Sequence, residues 1–186
     1  MGRRLDNGNR VNREIYARFC ERLWVKPPRP THPYIKVKGI WKYLYRAVDK
    51  QGKTVDFLLT AKRDKAAAMR FFGRAMQANG GVPEKVTMDK SGANKAAIDE
   101  IKVSRGIPII VRQVKYLNNI VEQDHRAVKR VTKPMLNFKS FQAAKCVLAG
   151  IELMNMIRKG QFMLKGCNEM SFADQFYALA GQIRPV

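Results

Sequence analysis

Three consecutive strand patterns constrain the fold of this chain more than any other feature. Apolar and basic residues alternate in YIKVKG (34–39), as in a strand with one buried face, and WKYLYRAVD (41–49) and TVDFLLT (54–60) are predicted to be the next two strands. A turn signal, Asp-Lys-Gln-Gly at 49–52, separates the second strand from the third. Because short connections join antiparallel neighbours, these strands are predicted to form a three-stranded antiparallel unit.

Helical and strand patterns alternate through the rest of the chain. Beyond the three strands, the patterns predict a helix at 64–79, a strand at 84–91, a helix at 92–101, a strand at 108–116 and mostly helix over 118–160. Later strands reached by helical crossovers indicate a mixed sheet. We therefore predict an α/β domain with a mixed five-stranded sheet flanked by helices, in the ribonuclease-H-like order.

Residues 1–33 have a different character. Arg13–Trp24 has the apolar spacing of an amphipathic helix, and four prolines within residues 24–33 predict an extended linker. We expect residues 1–33 to form a separate N-terminal region, residues 34–161 to form the α/β domain, and residues 162–186 to form a C-terminal tail.

The charge of the chain predicts a polyanionic partner. Lys and Arg number 36 against 15 Asp and Glu, giving a formal net charge of +21. No apolar stretch is long enough to span a bilayer and no signal-peptide pattern is present, so we expect no membrane partner. Three widely spaced cysteines favour a reducing cytoplasm, where the chain would associate with the nucleoid.

Asp89 follows a predicted strand in the string VTMDKSGAN. Open α/β sheets place their active sites at the carboxyl ends of strands, so an Asp at this point is a natural metal ligand. The same Asp-Lys-Ser-Gly string is also typical of an ordinary turn. Position alone therefore leaves both interpretations of Asp89 open.

A predicted helix that includes NNIVEQDHRAVKR places Glu122, Arg126 and Lys129 on one side, opposite an apolar arc that includes Val128 and Val131. A carboxylate beside two cations suits metal-dependent phosphoryl transfer, in which carboxylates hold Mg²⁺ and cations hold phosphates. A salt-bridged solvent face has the same pattern. Asp124 falls within the apolar arc beside His125, so we expect these two residues to fix the helix on the sheet.

Four strings of the chain are distinctive in combination: YIKVKGIWKYLYRAVDKQGKTVDFLLTAKRDKAAAMRFFGRAM, VTMDKSGANKAAI, RQVKYLNNIVEQDHRAVKR and FKSFQAAKCVLAGIELMNMIRKGQ. Together they closely resemble insertion-sequence family six, the small DDE-class bacterial transposases that form cointegrates. The resemblance extends from Tyr34 to Gln161. It implies a ribonuclease-H-like, retroviral-integrase-like domain that cleaves and transfers DNA strands.

The resemblance also implies roles for particular residues. Two Asp and one Glu of the family hold Mg²⁺ or Mn²⁺; Asp89 matches the second Asp and Glu122 matches the Glu. Lys129 matches a basic residue that contacts the transposon end, and Arg126 and Lys90 are further expected DNA contacts. The implied partners are the terminal inverted repeats and the target DNA, and the implied assembly is a homodimer.

The first Asp of the family is absent from the expected place. The family reads Asp-Glu-Thr directly before the Tyr-Ile-Lys strand, whereas here Thr31 stands where the Asp is expected. Thr is neutral and a poor Mg²⁺ ligand, so we expect impaired catalysis. Neither Asp49 nor Asp56, on the following strands, is expected to replace the missing ligand. The Glu14–Trp24 segment resembles only the last helix of the family's helix-turn-helix, which indicates a truncated or frame-disrupted element.

Three functions remain open at this stage. The first is a DNA transposase with impaired activity. The second is a non-catalytic DNA-binding protein, either a regulator of intact copies or a subunit that assembles with them. The third is a basic RNA-binding protein, which only the net charge favours.

Overall fold

A mixed sheet with helices on both faces is the framework of the computed structural model, which describes residues 14–18, 34–88, 90–114, 119–162 and 170–183. Within these ranges there are six strands and five helices. The strands are β1 (Glu14–Arg18), β2 (Tyr34–Val37), β3 (Ile40–Asp49), β4 (Thr54–Thr60), β5 (Lys85–Met88) and β6 (Ile110–Gln113). The helices are α1 (Lys65–Ala78), α2 (Gly92–Arg105), α3 (Asn119–Thr132), α4 (Phe141–Arg158) and α5 (Phe172–Ile183).

Strand β3 organises the sheet because it has neighbours along both edges. On one edge it pairs antiparallel with β4, placing Tyr43 opposite Thr60. On the other edge it pairs antiparallel first with β2, where Tyr34 is opposite Tyr43, and then with β1, where Arg18 is opposite Arg46. Strand β5 pairs parallel with β1, and β6 pairs parallel with β5. The predicted ribonuclease-H-like α/β fold, with β2, β3 and β4 antiparallel, is confirmed.

Helices α1 and α2 cover one face of the sheet. Tyr45 of β3 and Met88 of β5 are buried there together with Phe71 of α1. Helix α1 begins as predicted at Asp64, whose Oδ1 accepts a hydrogen bond from the Ala67 backbone N–H at 2.7 Å. This layer fixes the end of β5, and therefore the point at which the chain reaches residue 89.

Helices α3 and α4 lie on the other face. Val37 and Leu44 of the sheet are buried with Val128 of α3 and Leu148 of α4. The predicted cap of α4 is confirmed, because the Ser140 Oγ accepts a hydrogen bond from the Ala143 N–H at 3.0 Å. The sheet is therefore sandwiched between two helical layers, which accounts for the unbroken run of buried residues 44–49 in β3.

The N-terminal segment differs from its prediction. Residues Glu14–Arg18, expected to be helical, form strand β1 between β3 and β5. The helix prediction is therefore wrong for these five residues, and β1 raises the expected five strands to six. The rest of residues 1–33 lies outside the described residues, so the separate N-terminal region and its boundary at residue 33 stay predictions.

Helix α5 was not predicted, although its start carries a clear local signal. Asp174 lies three residues after Ser171, and the two form a reciprocal capping box: the Asp174 N–H donates to the Ser171 Oγ at 3.2 Å, and the Ser171 N–H donates to the Asp174 Oδ2 at 3.2 Å. Helix α5 packs against α4. None of the helices within the described ranges is both long and apolar enough to cross a membrane.

Candidate active site

The two carboxylates predicted to hold metal belong to neighbouring parts of the fold. Asp89 directly follows Met88, the last residue of β5, and itself lies outside the described residues. Glu122 is in the first turn of α3, and its side chain is likewise not described. Helix α3 packs on β3 and β1, and β1 is the parallel neighbour of β5. Strand β5 and helix α3 therefore both lie against β1, near the centre of the sheet. That the carboxylates of Asp89 and Glu122 lie close together stays a prediction.

The register of the sheet identifies the residue that stands where the first acid is expected. If β2 continued backwards along β3 without interruption, Thr31 would lie opposite Arg46, because Tyr34 lies opposite Tyr43. Strand β1 instead places Arg18 opposite Arg46. Thr31 itself is outside the described residues. The resemblance leads us to expect the acid at the position of Thr31, whereas the described partner of Arg46 in the ladder is Arg18.

This position directly follows the last pair that β1 forms with β5. Ala17, which precedes Arg18, is paired in parallel with Met88, which precedes Asp89. Fifteen residues, 19–33, connect β1 to β2 in the chain. On β3, only two residues lie between Arg46, the partner of Arg18, and Tyr43, the partner of Tyr34. The connection from β1 to β2 is therefore thirteen residues longer than one continuous strand would need, since 15 − 2 = 13.

Helix α3 presents a polar and a buried side, in part as predicted. His125 and Val128 are each 2% exposed, so they form the line that faces the rest of the domain. Arg126 is exposed and Lys129 is half-buried. Val131, expected within the apolar arc, is 47% exposed, because the buried line runs through His125 and Val128 instead. The Asp124 side chain is not described, so its pairing with His125 stays a prediction.

Lys90, the third expected DNA contact, is exposed directly before α2. Its neighbour Ser91 caps that helix, accepting a hydrogen bond from the Asn94 N–H at 3.5 Å. The Arg63 Nη2 reaches the Ser91 Oγ at 3.3 Å and so connects the loop before α1 to this turn. One exposed cation, Lys90, and one partly exposed cation, Arg63, therefore lie at the start of α2.

The aspartates of β3 and β4, Asp49 and Asp56, each accept hydrogen bonds from other groups. The Asp49 Oδ1 accepts hydrogen bonds from the Gln51 and Lys53 N–H groups at 2.9 and 2.8 Å, which closes the β3–β4 turn. The Asp56 Oδ1 accepts from the Arg74 Nη2 at 3.0 Å, and burial raises the pKa of Asp56 despite this cation. Among the described side chains, no three His, Cys, Asp or Glu gather into a metal-binding group.

A buried ion pair that the sequence did not predict joins β3 to α4. The Arg46 Nη2 lies 2.6 Å from the Glu152 Oε2, and the two side chains are 0% and 1% exposed. The Thr54 hydroxyl lies 3.3 Å from the Arg46 Nη2 and also accepts from the Lys159 Nζ at 3.2 Å. The available signal was the position of Glu152, four residues after Leu148 on the apolar stripe of α4.

Together, the antiparallel strands β2–β4, the crossover α1 and the parallel strands β1, β5 and β6 define a ribonuclease-H-like domain. Residues 31–161 match the family model described as a DDE domain. The chain therefore belongs to the DDE-domain family of bacterial insertion-sequence transposases.

Curated relatives agree with this assignment. The chain is 37% identical over 153 residues to the transposase of the insertion-sequence-like element IS431mec from Staphylococcus aureus strain Mu50, covering 77% of this chain and 66% of that protein. The same values hold for the transposase of insertion sequence IS257 in transposon Tn4003, also from Staphylococcus aureus. The chain thus spans just under two thirds of the length of these relatives.

Among solved structures, the chain is similar to the HTLV-2 integrase catalytic core domain in complex with magnesium. The sequence identity is 19% and the TM-score is 0.49, over 87% of this chain and 90% of the integrase chain.

Proposed function

We propose that this chain derives from a transposase that cleaves and transfers DNA strands at the ends of an insertion sequence, and that its own strand-transfer activity is impaired. Asp89 and Glu122 are the two metal-binding carboxylates of the proposed site, and Mg²⁺ or Mn²⁺ is the proposed ion. Such an ion stabilises the negative charge that develops during phosphoryl transfer. Lys90, Arg126 and Lys129 are proposed to hold DNA phosphates nearby.

The observation that carries the impairment is the pairing of Arg18 with Arg46 in the ladder. Divalent cations of this kind are held by oxygen ligands, above all carboxylates. Neither Thr31 in the chain nor Arg18 in the sheet supplies the third carboxylate, and a guanidinium at this level would repel a cation. We infer weak metal binding and slow strand transfer.

Placing an acid at either position tests this proposal. Arg18→Asp, Thr31→Asp and the control Arg18→Asn, which removes the charge without adding a carboxylate, would be compared with the unmodified chain. Each protein is mixed with a duplex of the element's terminal repeat, a target plasmid and Mg²⁺ or Mn²⁺. We expect joined products to increase with at least one acid variant but not with Arg18→Asn.

A second substitution establishes whether a gain uses the proposed site. Adding Asp89→Asn to the activated variant is expected to remove the gain, because it takes away a ligand from the same metal site. Efficient strand transfer by the unmodified chain would contradict the impairment. Failure of both acid variants would contradict the idea that one missing carboxylate is the cause.

The proposed phosphate contacts are tested separately from catalysis. Lys90→Ala and Arg126→Ala are expected to weaken binding to duplex DNA and to lower the slope of log affinity against log salt by about 0.9 for each lost contact. Substitution of Lys145, an exposed lysine on α4, provides the matched control. Equal slopes for all three variants would remove Lys90 and Arg126 from the interface.

Arg18 also favours a second candidate, a non-catalytic DNA-binding regulator or a subunit that assembles with intact transposase. A cation in place of an acid removes a metal ligand but strengthens contact with DNA phosphates. Salt-sensitive binding to terminal-repeat DNA, with no strand transfer by either acid variant, would support this candidate. Sedimentation velocity on the same samples would test the proposed homodimer.

A further inference from the structure

The β2–β3 hairpin carries three aromatic side chains and one lysine on the same face. Tyr34 lies opposite Tyr43, and Lys36 lies opposite Trp41, so all four side chains point to the same side of the ribbon. The rings of Tyr34 and Tyr43 are 5.5 Å apart in an edge-on arrangement, and those of Tyr34 and Trp41 are 6.4 Å apart. We name these four residues the aromatic hairpin.

The aromatic hairpin continues a buried face of the sheet beyond the helix that covers it. Tyr45, the next residue of β3 on this face, is fully buried, with its ring 5.2 Å from that of Phe71 in α1. Trp41 is 56% exposed, and Ile40 beside it is 60% exposed. A tryptophan that presents this much apolar surface is a common feature of a recognition site.

The charge around this surface indicates what kind of molecule it fits. Residues 34–48 contain no Asp or Glu. Lys36 and Lys38 are exposed, and the Lys36 Nζ lies 5.7 Å from the centroid of the Trp41 ring. An exposed ring flanked by cations complements a flat π-system attached to an anion, as in a nucleotide.

The hairpin also lies beyond the carboxyl end of β5, because β2 pairs with β3 farther along in the direction in which β1 and β5 run. Three residue steps of β3 separate Tyr43 from Arg46, which corresponds to about 10 Å along the strand. The Thr60 hydroxyl donates to the Tyr43 carbonyl at 3.4 Å, which joins the hairpin to the end of β4. From there the loop that contains Arg63 reaches Ser91, beside Lys90. Basic residues therefore continue from Lys90 through Arg63 to the hairpin.

We propose that the aromatic hairpin binds an unpaired nucleotide of DNA. Its base stacks on Trp41, and its phosphates contact Lys36 and Lys38. An unpaired base is specified because stacking needs a free base face, whereas neighbouring base pairs cover those faces within a duplex. The inference rests on the proposed function only in naming DNA as the nucleic acid, since stacking requires neither Asp89 nor Glu122.

Trp41 fluorescence provides a direct test. Trp24→Phe leaves Trp41 as the single tryptophan, because the chain contains two. Addition of oligo-dT is expected to quench its emission more than addition of a blunt duplex with the same number of phosphates. In the chain with Trp24 intact, Trp41→Leu is expected to weaken oligo-dT binding by about 5- to 150-fold, the usual effect of losing one stacked base. Binding to the blunt duplex should change less than about twofold, since phosphate contacts dominate there.

Control variants separate stacking from other contributions. Tyr177→Leu removes another exposed aromatic, 71% exposed on α5, and should leave oligo-dT binding unchanged. Lys36→Gln should reduce the salt dependence of oligo-dT binding. Circular dichroism and sedimentation would establish that Trp41→Leu retains the fold and oligomeric state of the parent chain.

Each contrary outcome has a distinct meaning. Unchanged oligo-dT binding by Trp41→Leu, or an equal loss on duplex, overturns the hairpin proposal and leaves the proposed function standing. If the parent chain binds oligo-dT but not terminal-repeat duplex, the proposed function fails and the hairpin proposal survives. Binding to neither DNA overturns both. A change of oligomeric state on substitution of Trp41 would make the hairpin a protein contact and overturn its role with DNA.

Discussion

Substitution of Glu152 is expected to destabilise the domain strongly although this residue is remote in sequence from every predicted site. Its carboxylate is 1% exposed and lies 2.6 Å from the Arg46 guanidinium, which is fully buried. Glu152→Gln keeps the size of the side chain but removes its charge. Arg46 would then remain as a buried cation without this compensating anion.

The magnitude follows from the cost of burying charge. Removing one partner of a buried pair costs about 3–5 kcal/mol, because the other charge stays desolvated. Removing both by Arg46→Leu with Glu152→Leu is expected to be nearly neutral or to stabilise by about 1–4 kcal/mol. A domain of ordinary stability has only about 5–15 kcal/mol in total, so the single substitution removes a large share.

Urea unfolding followed by far-ultraviolet circular dichroism measures these differences without adding salt. Glu100→Gln is the matched control, because Glu100 forms an ion pair with Lys65 in which the side chains are 47% and 54% exposed. An exposed pair contributes less than about 1 kcal/mol. A loss of less than 1 kcal/mol for Glu152→Gln, or a double variant no more stable than the single one, would refute the reasoning.

Three further outcomes follow from individual side chains. Burial raises the pKa of Tyr45 to about 12 from an unfolded value of 10.0. The free energy of unfolding should therefore fall by about 1 kcal/mol between pH 9 and 11, and Tyr45→Phe should lack this loss in urea titrations. Burial also raises the pKa of Asp56, so ionisation of its carboxyl group opposes folding. Although Asp56→Asn loses the ion pair with Arg74, its free energy of unfolding should rise relative to that of the parent chain between pH 3 and 7. Ser140→Ala removes the cap of α4 and should cost about 1 kcal/mol of unfolding free energy by the same measurement.

Local sequence patterns were sufficient for most of the fold because they coincide with the tertiary contacts. Ile35 and Val37 alternate with lysines, and both are buried against the α3–α4 layer. In α1, Ala68, Phe71 and Ala75 recur at helical spacing and are buried. Here, local propensity and burial favour the same structure, so a prediction from either one succeeds.

Strand β1 was mispredicted because its stability comes from distant residues. Within Arg13–Trp24, apolar residues recur at helical spacing, so the local pattern favours a helix. In the fold, Glu14–Arg18 lies between β3 and β5 and hydrogen-bonds to both. Two backbone ladders outweigh a weak local preference, and neither ladder is visible from the segment itself. The Arg46–Glu152 pair escaped prediction for a related reason, since its partners lie 106 residues apart.

The fold requires backbone hydrogen bonding from strand β1, whereas the proposed catalysis requires a particular side chain on it. Between β3 and β5, the sheet needs a strand that hydrogen-bonds to both. Without it, buried backbone N–H and C=O groups of β5 would have no partners. Any segment of suitable length can meet that need, and Glu14–Arg18 does so. Under the proposed function, strand transfer instead needs a carboxylate at the level of the ladder where Arg18 stands. The proposed loss of the first acid would thus leave the fold intact. For this reason, we expect the Arg18→Asp substitution to affect metal binding and strand transfer far more than the hydrogen bonding of the sheet.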